Sequence, residues 1–270
     1  MKGKSFKTLL MALVSLVYIT PLYILFSMSL KSPQDTSSKW VFPTYLYLKN
    51  FFNAWKQANL ARSLLNNIVI TMFSITLIIL VGSFAAYPLG RFRTKFNNFI
   101  YLLFLSCMIV PPLTILVPLY KFIVDIHGMN SYWAITLMLV TFQLPLCVFL
   151  YTNFVAGISR ELDQAAIIDG CSRFRVFYSI IFPLLKPATS SVAILCGVQV
   201  WNDYQFSVFF LQKAEIRTVS VALSQFVSQY QNDIGLVAAG CLIGILPFTL
   251  LYMFLQKYFI KGLTDGALKG

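Results

Sequence analysis

The sequence predicts an all-α polytopic membrane protein with six transmembrane helices. Three observations carry that prediction. Of the 270 residues, 58% are hydrophobic and only 11% are charged, whereas a soluble domain is about 25% charged. The apolar residues gather in runs long enough to cross a bilayer. Most basic residues sit in the short segments between those runs, so the net charge of +12 reads as a topology signal rather than a nucleic-acid footprint.

The first run, Leu9–Leu30, has 22 residues without a charge behind the basic start Lys2, Lys4 and Lys7. At 1.5 Å per residue it spans the hydrocarbon core. A cleaved signal peptide has a shorter apolar stretch and a small-residue cleavage site, so this run reads as a retained first helix. The loop from Lys31 to Arg62 follows, with Pro33, Trp40, Pro43 and several further aromatics. It reads either as an interfacial aromatic belt or as a docking surface.

The later runs are Ile68–Gly90, Phe99–Val124, Tyr132–Phe154, Ala188–Leu211 and Ile234–Ile260. Each is predicted as a helix, because lipid offers no partner to an unpaired backbone group. Pro111, Pro112 and Pro118 break the third run and predict a kink, beside a cavity or packed over. Gly240 and Gly244 in the sixth form a small-xxx-small pair, which allows close helix approach within the chain or across a dimer. The reading by domains is residues 1–62 as first helix and external loop, and 63–270 as the core. Lys and Arg number 13 on the side of the termini and 8 on the other, which predicts both termini in the cytoplasm.

The chemistry of an enzyme is missing. The five cysteines show no CxxC spacing, His127 is the sole histidine, and the nine acids are scattered. The triplet Gly3–Ser5 matches the end of a phosphate-binding loop but lacks its upstream glycine and strand. No cofactor is expected on this chain, and a pump built from it would borrow its energy. One acid, Asp203, falls inside an apolar run, about two-thirds along the predicted fifth helix. Such a residue lines a polar path or joins a structural hydrogen-bond cluster. Under the first reading Trp201 and Tyr204 offer aromatic faces to a ligand; under the second Asn202 and Gln205 complete the cluster.

The segment Glu161–Pro183 is polar and lies between two greasy runs, on the cytoplasmic side by the charge count. Glu161 and Asp163 suit the first turn of a short helix. Gly170 suits its left-handed end. Ser172 suits the cap of a second helix, Arg173–Ile181, which Pro183 then breaks. The result is a helix–turn–helix that either docks another protein or serves as an amphipathic linker.

These residues resemble the EAA loop of the membrane subunits of ABC importers: Glu-Ala-Ala, three residues, Gly, nine residues, then Ile-x-Leu-Pro. Here the pattern reads Gln164-Ala165-Ala166, Gly170, and Ile180 to Pro183. Gln164 stands where Glu is usual and Phe182 where Leu is usual, so Glu161, Asp163 or Asp169 must carry the electrostatic part of docking. "AAYPLGRF" (85–92), "FQLPLCVFLYTNF" (142–154), "WNDYQF" (201–206), "IRTVSVALSQF" (216–226) and "KGLTDGALKG" (261–270) are similar to the carbohydrate branch, within it the maltose-type second permease.

The resemblance implies a type I importer fold in a bacterial cell membrane. It implies a second permease subunit as heterodimer partner, two ATPase subunits carrying ATP and Mg, and an extracytoplasmic sugar-binding protein. Besides these it implies lipid, and no nucleic acid, as surroundings. The coupling residues carried over are Glu161, Asp163, Gln164, Ala165, Ala166, Asp169 and Gly170. The tail residues Gly262, Asp265, Gly266, Lys269 and Gly270 match a segment that enters the ATPase interface. Trp201 to Gln205 are the candidate substrate path, for an oligosaccharide. The alternatives are an importer permease for a non-sugar solute, and a secondary transporter or channel using Asp203 as an ion site.

Overall fold

The computed structural model describes residues 2–92, 94–230 and 233–267, with side chains described from Phe6 to Phe254 and at Gln256. Among these the chain is helical and has no strand. Four helices contain a stretch long and apolar enough to cross a bilayer: α1 (Lys2–Ser29), α3 (Leu60–Arg91), α6 (Tyr132–Gly157) and α13 (Ile234–Ala267). Two further spans are bent. α4 (Lys95–Cys107) meets the segment Pro112–Asp125, which contains α5 (Leu116–Asp125), at 90°. The segment with α8 (Arg173–Val176) and α9 (Phe182–Leu184) meets α10 (Lys186–Trp201) at 73°. Counting each bent pair once gives the six spans of the sequence reading. The remaining helices are short: α2 (Lys49–Gln57), α7 (Glu161–Ile168), α11 (Ser207–Phe210) and α12 (Val219–Gln229).

The second span starts earlier than expected, at Leu60 rather than Ile68, and the sixth ends later, at Ala267 rather than Ile260; three further differences bear on the sites. The third span stops as an α-helix at Cys107 instead of kinking in one piece. The fifth ends at Trp201, not Leu211, so Asp203 lies beyond it rather than two-thirds along it. Pro183 does not end the second loop helix. The helical path runs on past it: a π-helical turn at Phe177–Ile181 leads directly into α9, whose second residue is Pro183, before the chain bends into α10.

The chain packs as two compact units, Met1–Leu64 with Thr218–Pro247, and Leu65–Arg217 with Phe248–Gly270. The boundary expected after residue 62 follows the chain, whereas the first unit also takes in Thr218–Pro247.

In the first unit the loop after α1 is tied down. Asn50 donates to the carbonyls of Ser29 (2.9 Å) and Lys31 (2.7 Å), satisfying acceptors that the end of a helix leaves open. Lys31 is buried and donates to Ser37 Oγ and to the Ser38 carbonyl, both at 2.7 Å. α2 buries Ala54 against Phe226, Leu236 and Ala239. Gly240 and Gly244 turn out to serve packing inside the chain: an added Cβ would meet Leu223 at 3.2 Å and 2.8 Å respectively, both on α12.

In the second unit α3, α6 and α10 enclose the core. Along α3, Gly82, Ala86 and Gly90 recur every fourth residue and face α6. A Cβ at Gly82 would collide with Cys147 Sγ, and one at Gly90 would lie 2.9 Å from the Thr152 carbonyl oxygen. Tyr151 on α6 is fully buried and donates to Thr189 Oγ1 on α10 at 2.9 Å. Asn67 donates to the Trp201 carbonyl at 3.1 Å, closing the end of α10.

Candidate functional site

Two places combine unusual exposure with built-in polar geometry. The first is the loop that carries α7. Ser159 Oγ accepts from Glu161 N–H at 3.2 Å, and Glu161 and Asp163 fall in the first turn, where the helix dipole favours acids. The far end is closed by a paired turn: Cys171 N–H donates to the Ala166 carbonyl (2.9 Å) and Gly170 N–H to the Ile167 carbonyl (3.0 Å). That turn needs a left-handed residue, and Gly170 has φ +84°. Ser172 Oγ then accepts from Arg175 N–H at 3.3 Å and starts α8, as expected.

The two faces of α7 differ in chemistry. Ala166 is buried. Asp163 points toward α3, where its Oδ2 lies 2.9 Å from Arg91 Nη2 and its Oδ1 accepts from the Tyr87 hydroxyl at 2.8 Å. Glu161, Gln164, Ala165, Asp169 and Gly170 share the exposed side. So do Leu162, Ile167 and Ile168, the last 85% exposed. Ile167 and Ile168 are not among the coupling residues proposed from the sequence. Their signal is two β-branched apolar residues at the end of an eight-residue helix beside a polar turn. Behind α7, Phe177 packs on Tyr87 (5.2 Å between ring centres) and edge-on to Phe84 (5.6 Å), joining the π-helical turn to α3.

The second place is the 90° break. A cleft of about 580 Å³ opens there, lined by Leu103, Phe104, Cys107, Met108, Val110, Pro112 and Ile115 from the broken span, Thr141–Leu146 from α6, and Gln199 from α10. Its wall is apolar with two amides, Gln143 and Gln199. Phe142 is stacked on Phe206 at 4.6 Å, holding one wall. Mostly apolar walls with a few placed polar groups are what small-ligand sites use. Gln143 and Gln199 were readable as amides inside apolar runs.

The stretch Trp201–Gln205 lies outside that lining. Trp201 is buried and packs on Phe248 at 5.7 Å. Asp203 accepts from Ser207 Oγ (2.6 Å), Ser207 N–H (2.9 Å) and Phe206 N–H (3.3 Å), so it caps the turn into α11. Asn202 and Tyr204 are exposed and Gln205 is half-buried. Of the tail, Lys269 and Gly270 lie outside the described residues. For Gly262, Asp265 and Gly266 only the helical backbone of α13 is described. Among the described residues no three His, Cys, Asp or Glu side chains gather as a metal site would require.

Residues 78–265 match the family described as "Binding-protein-dependent transport system inner membrane component". The chain belongs to this family. Like its relatives, this permease is a membrane-embedded transport subunit that works with other subunits. It is 46% identical over 264 residues to the melibiose/raffinose/stachyose import permease protein MelC of Bacillus subtilis (strain 168), covering 97% of this chain and 96% of that one. To the probable starch degradation products transport system permease protein AmyC of Thermoanaerobacterium thermosulfurigenes it is 35% identical, covering 97% and 96%. Its fold matches a chain in the crystal structure of a bacterial ABC transporter involved in the import of the acidic polysaccharide alginate. The TM-score is 0.78 at 19% identity, over 95% of this chain and 96% of that one. The permease therefore has the helical fold of an ABC importer permease, with α7 between its fourth and fifth spans.

Proposed function

We propose that the permease is one transmembrane half of an ATP-driven oligosaccharide importer, and that α7 couples it to an ATPase. The observation that carries the reading is Ile168. A side chain of that kind 85% exposed on a short helix closed at its C-terminal end by a paired turn is apolar surface awaiting a protein partner. In the proposed assembly the termini and α7 face the cytoplasm. Two ATPase subunits hold ATP and Mg, with α7 set into one of them. Leu162, Ile167 and Ile168 supply the apolar contact, and Glu161 and Asp169 the charge that Gln164 lacks. Gly262, Asp265, Gly266, Lys269 and Gly270 reach the same ATPase layer. A second permease subunit completes the pathway, and an extracytoplasmic binding protein delivers the sugar.

Substrate passage is assigned to the cleft at the 90° break, where Gln143 and Gln199 offer donors and acceptors to hydroxyl groups and Phe142 offers a ring face. The substrates named for the similar permeases are oligosaccharides or starch fragments, which supports a glycan. ATP acts by stabilising one arrangement of the spans over another, which requires contacts that differ between the two. The permease itself is expected to hydrolyse nothing.

The test is purification of the complex from its host, followed by assay of import and ATPase activity in proteoliposomes with a sugar panel. Deletion of residues 161–172 should abolish import while leaving the spans in the membrane. Import at the full rate by the deleted permease, or a binding protein that took up only amino acids, would overturn the coupling or the substrate reading respectively.

A further inference from the structure

Arg91 sits at the last residue of α3 and is buried, 4% exposed in its side chain. Its guanidinium makes two contacts that leave α3. Nη1 donates to the Ile158 carbonyl, just past the end of α6, at 2.6 Å. Nη2 lies 2.9 Å from Asp163 Oδ2 in the first turn of α7. Tyr87, one turn earlier on α3, donates to the other carboxylate oxygen at 2.8 Å. Both oxygens of Asp163 are thus held from α3, and the same guanidinium holds the backbone by which the chain enters α7. The guanidinium reaches both acceptors at once, by a hydrogen bond to the Ile158 carbonyl and a charge contact to Asp163 Oδ2 that is not aligned as a hydrogen bond, whereas a lysine would reach one acceptor at a time.

Apart from these contacts α7 is held by one side chain in the core, Ala166, and by chain links. Three residues, Ile158 to Arg160, connect it to α6, and four, Asp169 to Ser172, connect it to α8. Gly170 is exposed, and a Cβ built on it would meet nothing within 4 Å. A helix on such a pivot would tilt under load before its spans moved.

We propose that Arg91, Asp163 and Tyr87 form a strap that makes α7 and the end of α3 move as one body, so that force applied to α7 reaches the second span directly. They are positioning residues and touch neither sugar nor nucleotide. The proposal rests on α7 being the coupling helix. It assigns Asp163 to the inside of the subunit, and the charge offered to the ATPase to Glu161 and Asp169.

The experiment compares Asp163→Asn, Arg91→Ala, Arg91→Lys and Tyr87→Phe in the assembled complex, reading ATP consumed per sugar imported. The strap predicts that this ratio rises about tenfold or more in Asp163→Asn and Arg91→Ala while ATP hydrolysis persists. Arg91→Lys should recover part of the coupling, and Tyr87→Phe should change the ratio about two- to threefold. A merely structural role would lower both activities together and leave the ratio unchanged, and that result overturns the proposal. A second measurement does not need assembly. Spin labels at Ile168 and Phe92 in a full-length permease free of native cysteines should give one narrow distance, which broadens in Asp163→Asn. A distance that stays narrow overturns the strap even if the variant fails to assemble. If the unaltered complex imports no glycan, the functional reading falls, while the distance comparison still decides the strap.

Discussion

The third and fifth spans are both bent beside prolines, by 90° and 73°, yet they bend in opposite ways. In the third, Pro111 and Pro112 follow one another and neither carries an N–H. The helix tightens at its end, with Met108 and Ile109 N–H each reaching only three residues back, and then stops. Side chains at the break are left outside the core; Ile109 is 81% exposed. In the fifth, Pro183 and Pro187 stand apart, each at the start of a helical piece. Leu185 N–H shares the carbonyls of Ile181 (3.2 Å) and Phe182 (3.1 Å), Thr189 N–H takes the Leu185 carbonyl at 2.8 Å, and the Leu185 side chain is fully buried. One bend interrupts backbone bonding and opens a cleft; the other keeps the bonding and stays packed. The first suits a place where a ligand passes, and the second suits a lever running from α7 into the core.

The largest expected contrast is in stability. Leu185→Ala should destabilise the permease by about 2–5 kcal/mol, the cost of a fully buried leucine. Leu113→Ala at the open bend should stay within about 0.5 kcal/mol, as for an exposed site. Chemical denaturation in detergent, followed by circular dichroism, reads both; equal losses would erase the distinction between the bends. Next, Pro111→Ala with Pro112→Ala returns two donors to the open bend. Import should fall about tenfold as the helix extends into the cleft, whereas Pro183→Ala should leave import within about twofold. Third, Gln199→Leu removes an amide from the cleft wall. Loss of one hydrogen bond is worth about 1 kcal/mol, so half-maximal import should need about fivefold more sugar, with the ATPase rate at saturation unchanged. The smallest effect is at the root of the lever: Ser172→Ala should cost about 1 kcal/mol of local stability, seen as faster amide exchange in Arg173–Val176 alone.

The spans were legible because lipid imposes a long apolar run, and Leu9–Leu30 or Tyr132–Phe154 leaves little choice. The ends were less so. Hydropathy runs on from Ala188 to Leu211, but Asp203 prefers to cap the turn at Ser207, and that local competition ends α10 at Trp201. The loop around Gly170 was legible in detail, since a left-handed glycine and a capping serine act over a few residues. Contacts between distant residues were not. Nothing in the spacing tells that Arg91 reaches across 72 positions to Asp163, or that Gly240 and Gly244 lie under Leu223 rather than under another subunit. The cleft was half-legible. Pro111 and Pro112 announced the break, but which amides line it depends on how α6 and α10 are rotated.

Ile168 has a consequence for how much of this chain a cell can tolerate. A permease synthesised in excess of its partner would present Leu162, Ile167 and Ile168 uncovered in water, beside a loop tip open to proteases. Surplus copies would be sticky and easily cut, while docked copies would be neither. In the proposed assembly the face that docks on the ATPase would thus make the subunit's lifetime depend on its stoichiometry, and balanced synthesis of the two chains would be a requirement set by one helix.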